Sequence, residues 1–209
     1  MFNLAVLISG RGSNLRAIQK NTETGILQGR AQIAVVIANK ADVAGLAFAR
    51  EHGLKTVVCP TEKEIFSELA KLPAGYVSYQ PDSVEEELSR SEIDLICLAG
   101  FMRVLSLEFI KKYAGKIINI HPTLLPKYPG LHVHEKVLAA GEKESGCTVH
   151  YVDAGVDTGK IIAQKKVPVL PGDTPDTLAA RVLEQEHLLY SQVILQIIER
   201  SVDAENQRE

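Results

Sequence analysis

An α/β fold is predicted, Rossmann-like and doubly wound, with a mostly parallel sheet and an antiparallel strand pair in the C-terminal half. Three features carry that expectation. Short apolar runs in the first half lack polar alternation, as strands buried on both faces do. Helical stretches separate these runs at the spacing of right-handed βαβ units. In the second half, two strand-like runs lie close enough around a Gly-rich loop to pair antiparallel.

Leu4 to Ile8 is the first apolar run and ends at a Gly-rich turn. Ile33 to Ile37, Thr56 to Cys59 and Ile93 to Leu98 follow. Helices are expected over Asn14 to Lys20, Val43 to Glu51 and a charged stretch around Val84 to Ser89. Leu107 to Tyr113 reads as a helix and Lys116 to Ile120 as a short strand entering the Pro- and Gly-rich stretch from Pro122 to Gly130. His134 to Ala140 reads as a helix stopped by Gly141. Thr148 to Val152 and Ile161 to Val169 are the antiparallel candidates, joined through the Gly155–Gly159 loop. The last helix opens with Thr174 as N-cap, Pro175 at its first position and Asp176 in the positive first turn. Leu178, Val182, Leu189, Val193 and Ile197 then form a stripe that should face the core. A single domain over 1–200 is expected, with a polar tail at 201–209.

The 209 residues, 45% hydrophobic and 23% charged, suit a globular domain rather than a disordered or fibrous chain. A net charge of −3 gives no global field for nucleic acid or an anionic membrane, although a local basic pocket remains compatible with small anions. Cys59, Cys97 and Cys147 are far apart and odd in number, so neither a disulfide framework nor a CxxC site is expected. No apolar run approaches about 18 residues, and the opening Met1 to Ile8 lacks a basic export region. The expectation is a soluble, cytoplasmic protein.

Three segments can carry chemistry. Ser9-Gly10-Arg11-Gly12-Ser13-Asn14 joins the first strand to the first helix, where unpaired N–H groups and the helix dipole favour an anion. It is neither a dinucleotide fingerprint, since Ala17 stands nearest the third glycine, nor a P-loop, since no Gly-Lys-Ser/Thr follows. The alternative is a tight turn with Ser13 as an ordinary N-cap. Asn119 and His121 are two apart in an extended strand and so share a face, at the strand end where such sheets place ligands. An amide donor beside an imidazole can stabilise an oxyanion and move a proton; equally, both can be a polar strand end satisfied by backbone. Asp157 lies in the acidic loop Asp153-Ala-Gly-Val-Asp157-Thr-Gly159. Its carboxylate could raise the pKa of a nearby histidine, or merely close a turn. His132, His134 and His150 lack metal-ligand spacing, so no metal is expected. His52 and His187 read as surface or packing residues, and Arg103 as a solvated residue or a wall of a cofactor site.

Together these segments resemble the phosphoribosylglycinamide formyltransferase family. The resemblance runs from Leu4 to near Tyr190. It is densest in ISGRGSNL, LAGFMRVLS, INIHPTLLPKYPGLHVHEKVLAAGEKESGCTVHYVDAGVDTGKII and RVLEQEH. It implies transfer of a formyl group from 10-formyltetrahydrofolate, as co-substrate, to the amine of phosphoribosylglycinamide, with Asn119, His121 and Asp157 as catalytic trio. It also implies that Gly12, Ser13, Asn14 and Glu186 bind the acceptor, and that Met102, Arg103, Val104, Leu105 and Asn119 face the folate. Asp157 would hold His121 protonated near neutral pH, and no metal would be required. Small-molecule partners and a monomer or homodimer are expected, without nucleic acid or membrane. Between Pro60 and Asp94 the chain departs from the bacterial pattern, and the family's folate-contacting arginine has no counterpart that can be placed. The alternatives are a 10-formyltetrahydrofolate hydrolase, another folate formyl enzyme such as methionyl-tRNA formyltransferase, or a non-catalytic nucleotide-phosphate binding module.

Overall fold

A computed structural model describes residues 1–70 and 93–206. In chain order they form β1 (Phe2–Ile8), α1 (Ser13–Thr24), β2 (Ala31–Ala38), α2 (Ala44–Glu51), β3 (Thr56–Val58) and α3 (Glu62–Ala70). Then come β4 (Leu95–Leu98), α4 (Leu107–Lys112), β5 (Ile117–His121), α5 (Val133–Ala139), β6 (Glu144–Tyr151), β7 (Ile161–Pro168) and α6 (Pro175–Asn206). The expected helix around Val84 to Ser89 lies outside the described residues.

The strands form one sheet of order β3-β2-β1-β4-β5-β6-β7. Pairing is parallel from β3 through β5 and antiparallel at β5–β6 and β6–β7. The chain winds outward from β1 to β3 and then returns to β1's other side for β4. The strand order therefore reverses between β1 and β4, leaving a crevice at the strands' C-terminal ends, where sheets of this kind receive ligands. The doubly wound sheet and its antiparallel pair are as expected.

Strand periodicity explains the two cores. Leu4, Val6 and Ile8 pack on one sheet face with Leu15 and Ile18 of α1 and Val182, Leu189 and Val193 of α6. Ala5 and Leu7 project to the other face, against Val35, Ile37, Leu69 of α3 and Phe109 of α4. A strand covered on both sides needs no polar alternation, hence the unbroken run.

Three elements differ from expectation, the first being β6, which begins at Glu144 rather than Thr148. α3 was not anticipated, although Thr61 and Glu64 carry its start signal. The Thr61 N–H donates to Glu64 Oε2 at 3.2 Å and the Glu64 N–H to Thr61 Oγ1 at 3.4 Å, a reciprocal capping box. α6 continues through Asn206, so Ser201 to Asn206 of the expected polar tail are helical. Its opening is as read: the Thr177 N–H donates to Thr174 Oγ1 at 3.3 Å. Among the described residues no helix is long and apolar enough to cross a membrane.

One buried bond ties α6 to the functional end of the sheet. The Tyr190 hydroxyl donates to the carbonyls of Leu98 (3.0 Å) and Ile118 (3.2 Å), one from β4 and one from β5. Tyr190→Phe should cost about 1–3 kcal/mol by removing this donor. Thermal unfolding should show it as roughly 2–4 °C per kcal/mol for a chain of this size. An unchanged midpoint would show that the hydroxyl contributes no net stability.

Candidate active site

The β1–α1 turn is shaped by a glycine that nothing else can replace cleanly. Gly12, at φ 73°, is the N-cap of α1, and a Cβ there would lie 2.8 Å from the Gly45 Cα. The Gly45 N–H donates to Gly10 O at 3.1 Å, drawing the start of α2 against the same turn. Gly12, not Ser13, is therefore the cap, and no side chain caps α1. Its first-turn N–H groups, beginning at Ser13 and Asn14, are geometrically suited to an external acceptor. Asn14 and Glu186 are both buried, and the Asn14 amide donates to Glu186 Oε2 at 2.8 Å. Burial raises the Glu186 pKa above the usual carboxylate value, against the opposing pull of the Asn14 amide. Asn14 Oδ1 is buried and has no hydrogen-bond partner among the described residues. Thus α6 brings Glu186 to the turn although 172 positions separate it from Asn14.

The loop after β4 joins that turn directly. Gly100 O accepts from the Ser9 N–H at 3.1 Å, and the Met102 N–H donates to Ser9 Oγ at 2.8 Å. Met102 and Val104 are exposed apolar side chains, 66% and 79%, while Leu105 turns into the core. The Arg103 guanidinium contacts Pro60 O, so its donors are directed at the β3–α3 connection.

Asn119 and His121 end β5, and the loop between β6 and β7 delivers Asp157 to both. His121 Nδ1 lies 3.3 Å from Asp157 Oδ2, and the Asn119 amide donates to Asp157 Oδ1 at 3.4 Å. The Gly130 N–H anchors the carboxylate through Oδ2 at 2.8 Å. Asp157 holds φ 56°, a left-handed conformation that Asp tolerates better than most residues. On its other side, His121 Nε2 meets Tyr128 O at 2.9 Å. Tyr128 is itself left-handed, with φ 56°, and its hydroxyl donates to Glu142 at 2.8 Å.

The electrostatics depart from expectation at His121. Burial lowers its pKa below ordinary imidazole, and this outweighs the upward pulls of the Tyr128 carbonyl and Asp157. The carboxylate is adjacent, as anticipated, yet the ring is only 6% exposed and desolvation of the cation dominates. Desolvation thus favours the neutral ring at His121. Asp157 lies below the usual carboxylate range: burial opposes this, and the Gly130 N–H, which donates to it whatever the state of the neighbouring rings, helps to hold it down.

The spacing arguments gave His150 no role beside the trio. It lies directly across from Asn119 in the β5–β6 register, a neighbour that only the strand pairing identifies. Thr148, two residues earlier, secures the loop that follows β5. Its hydroxyl donates to Thr123 O at 2.6 Å and accepts from the Leu125 N–H at 3.0 Å and the Gln164 amide at 2.8 Å. Among the described residues no group of three or more His, Cys, Asp or Glu side chains could hold a metal ion. All three cysteines are buried; burial raises the Cys97 thiol and pushes the Cys147 thiol up to about 12, so neither of these two is a thiolate near neutral pH. A cavity of about 730 Å³ lies at the opposite end of the sheet, between Phe2, Arg30, Lys116 and the end of α6. It contains none of the groups described here.

Known proteins share this architecture. The family model described as formyl transferase matches residues 2–194. A phosphoribosylglycinamide formyltransferase of Escherichia coli K12 is 43% identical over 192 residues, 92% of this chain and 85% of that protein. The trifunctional purine biosynthetic protein adenosine-3 of Drosophila melanogaster is 45% identical over 195 residues, which are 93% of this chain and 14% of the relative. This chain thus spans a small part of that multifunctional protein. The crystal structure of a phosphoribosylglycinamide formyltransferase from Anaplasma phagocytophilum superposes with a TM-score of 0.80 at 39% identity, covering 95% of this chain and 87% of that one.

Proposed function

The chain belongs to the formyl transferase family, and on that premise we propose that it moves the formyl group of 10-formyltetrahydrofolate to the amine of 5-phosphoribosylglycinamide. The supporting observation is the meeting of Asn119 and His121 at one carboxylate, within 3.4 Å. The acceptor's phosphate docks at Gly12, Ser13 and Asn14, where the first-turn N–H groups and the positive end of α1 face an anion. Glu186 offers the acceptor the oxygen that Asn14 leaves free. The folate supplies the formyl group and rests against the loop from Met102 to Leu105, whose exposed Met102 and Val104 suit a flat, largely apolar ring.

The chemistry follows from charge. The amine nitrogen bonds to the formyl carbon, and the carbonyl electron pair moves to oxygen. An Asn119 N–H stabilises that oxyanion, as a preorganised donor in a dry site does. His121, neutral beforehand with its hydrogen on Nε2 toward the Tyr128 carbonyl, takes the proton lost by the amine on Nδ1, where the adjacent oxyanion and Asp157 both favour the imidazolium. The ring then returns the proton to the departing folate nitrogen as its bond to carbon breaks. Atoms and charge balance without a metal step, and holding both substrates supplies the orientation term.

The test mixes the protein with both substrates and follows the absorbance change on formyl loss. Deformylation that requires the amine is the expected result. Equal deformylation without it would make the protein a hydrolase, and phosphate-ligand binding without deformylation would make it a binding module. Gly12→Ala tests the phosphate turn. The left-handed φ and the Gly45 contact impose about 1–3 kcal/mol of strain, so KM for phosphoribosylglycinamide should rise about tenfold or more while KM for the folate changes little. Equal rises in both would show that the turn is not the phosphate site.

A further inference from the structure

We infer that His150 is a positioning residue that fixes the Asn119 amide with one N–H turned into the cleft. The inference rests on the formyl-transfer reading, because an oxyanion is what that N–H would serve. His150 is buried, with its side chain 3% exposed. Its Nδ1 lies 2.8 Å from Tyr151 O. A carbonyl oxygen only accepts, so the neutral ring carries its hydrogen on Nδ1 and leaves Nε2 as a bare lone pair. That lone pair lies 3.2 Å from Asn119 Nδ2.

An amide can flip, exchanging its NH2 for its oxygen, and the two orientations have opposite chemistry toward an oxyanion. Two acceptors decide the matter here. His150 Nε2 and Asp157 Oδ1 are 3.6 Å apart, on the same side of Asn119 Nδ2. In the inferred arrangement one N–H bridges both, which frees the other for the cleft. With the amide reversed, its oxygen would meet a lone pair and a carboxylate, and no donor would face the substrate. His121 meets the same carboxylate through the other oxygen and the Tyr128 carbonyl through Nε2, so Asp157 and Tyr128 hold the ring while Asp157 and His150 fix the amide.

Two variants separate the role from mere structural support. His150→Gln can place an acceptor where Nε2 stands. His150→Asn can reach only the Nδ1 position and so keeps the local tie to Tyr151. Relative to wild type, kcat should fall about 10- to 100-fold in the Asn variant, a substantial part of the loss of an oxyanion donor. The Gln variant should stay within about threefold, as an oriented donor is retained. Both KM values should move little, and both variants should unfold within a few degrees of each other. ¹⁵N NMR of the wild-type protein should show His150 protonated at Nδ1 and bare at Nε2. A proton on Nε2, or equal kcat in the two variants, would overturn the inference with the formyl-transfer reading intact. A wild-type protein that transfers no formyl group would overturn both.

Discussion

Replacing Asn119 or His121 by alanine should lower kcat by about 10²–10³-fold or more, with circular dichroism unchanged. Either residue would be deleted from the step in which charge develops, where one donor is worth that much. The loss cannot be charged to unfolding. His121→Ala removes one of two partners of the Tyr128 carbonyl, which keeps the Thr123 hydroxyl at 3.3 Å, a penalty of at most about 1–3 kcal/mol against the 5–15 kcal/mol typical of a folded domain. Asp157 also keeps its bond from the Gly130 N–H. A variant with near-normal turnover would remove its residue from the mechanism.

Asp157→Asn should be nearly as severe, for a different reason. The carboxylate lies against His121 Nδ1 at 3.3 Å and pulls its pKa upward, although burial wins overall. An amide withdraws that pull, so the His121 pKa falls further. The proposed base is the neutral ring, so activity falls as pH drops through that pKa. The acid limb of kcat/KM should therefore move to lower pH in the variant. At its plateau, kcat should be about 10²–10⁴-fold down, as when an imidazole loses the carboxylate that orients it and balances its charge. Asn tolerates the left-handed backbone at this position, which keeps the loop comparable. An unmoved acid limb would reduce Asp157 to an anchor for the Gly130 N–H.

Much of this architecture is legible in local pattern, and the exceptions have physical causes. Unbroken apolar runs identify β1, β2 and β4 because strands covered on both faces need no alternation. The beginning of β6 escapes notice because its opening residues Glu144 and Ser145 carry no β-branched run, although a Cβ on Gly146 would meet Lys165 O on β7. Thr61 and Glu64 signal α3, yet the segment's hydrophobic pattern is short. Asn119 and His121 share a face by the two-residue strand period, which sequence does show. The arrival of Asp157, and the placing of His150 opposite Asn119, depend on a register between β5 and β6 that no local pattern states. The balance of forces on His121 is hidden from local pattern for the same reason. A neighbouring carboxylate can be suspected from composition, but the burial that outweighs it exists only once the loops have closed around the ring.

Central to the account is one developing oxyanion shared by the end of β5, with the later loop supporting it. The most direct measurement is a crystal structure with a stable analogue whose tetrahedral carbon links the acceptor amine to the folate nitrogen. The account predicts the oxyanion-like oxygen within about 2.7–3.1 Å of Asn119 Nδ2, with His121 in contact with the same centre and Asp157 against its ring. That oxygen held instead by other donors, with the amide and imidazole turned away, would contradict it.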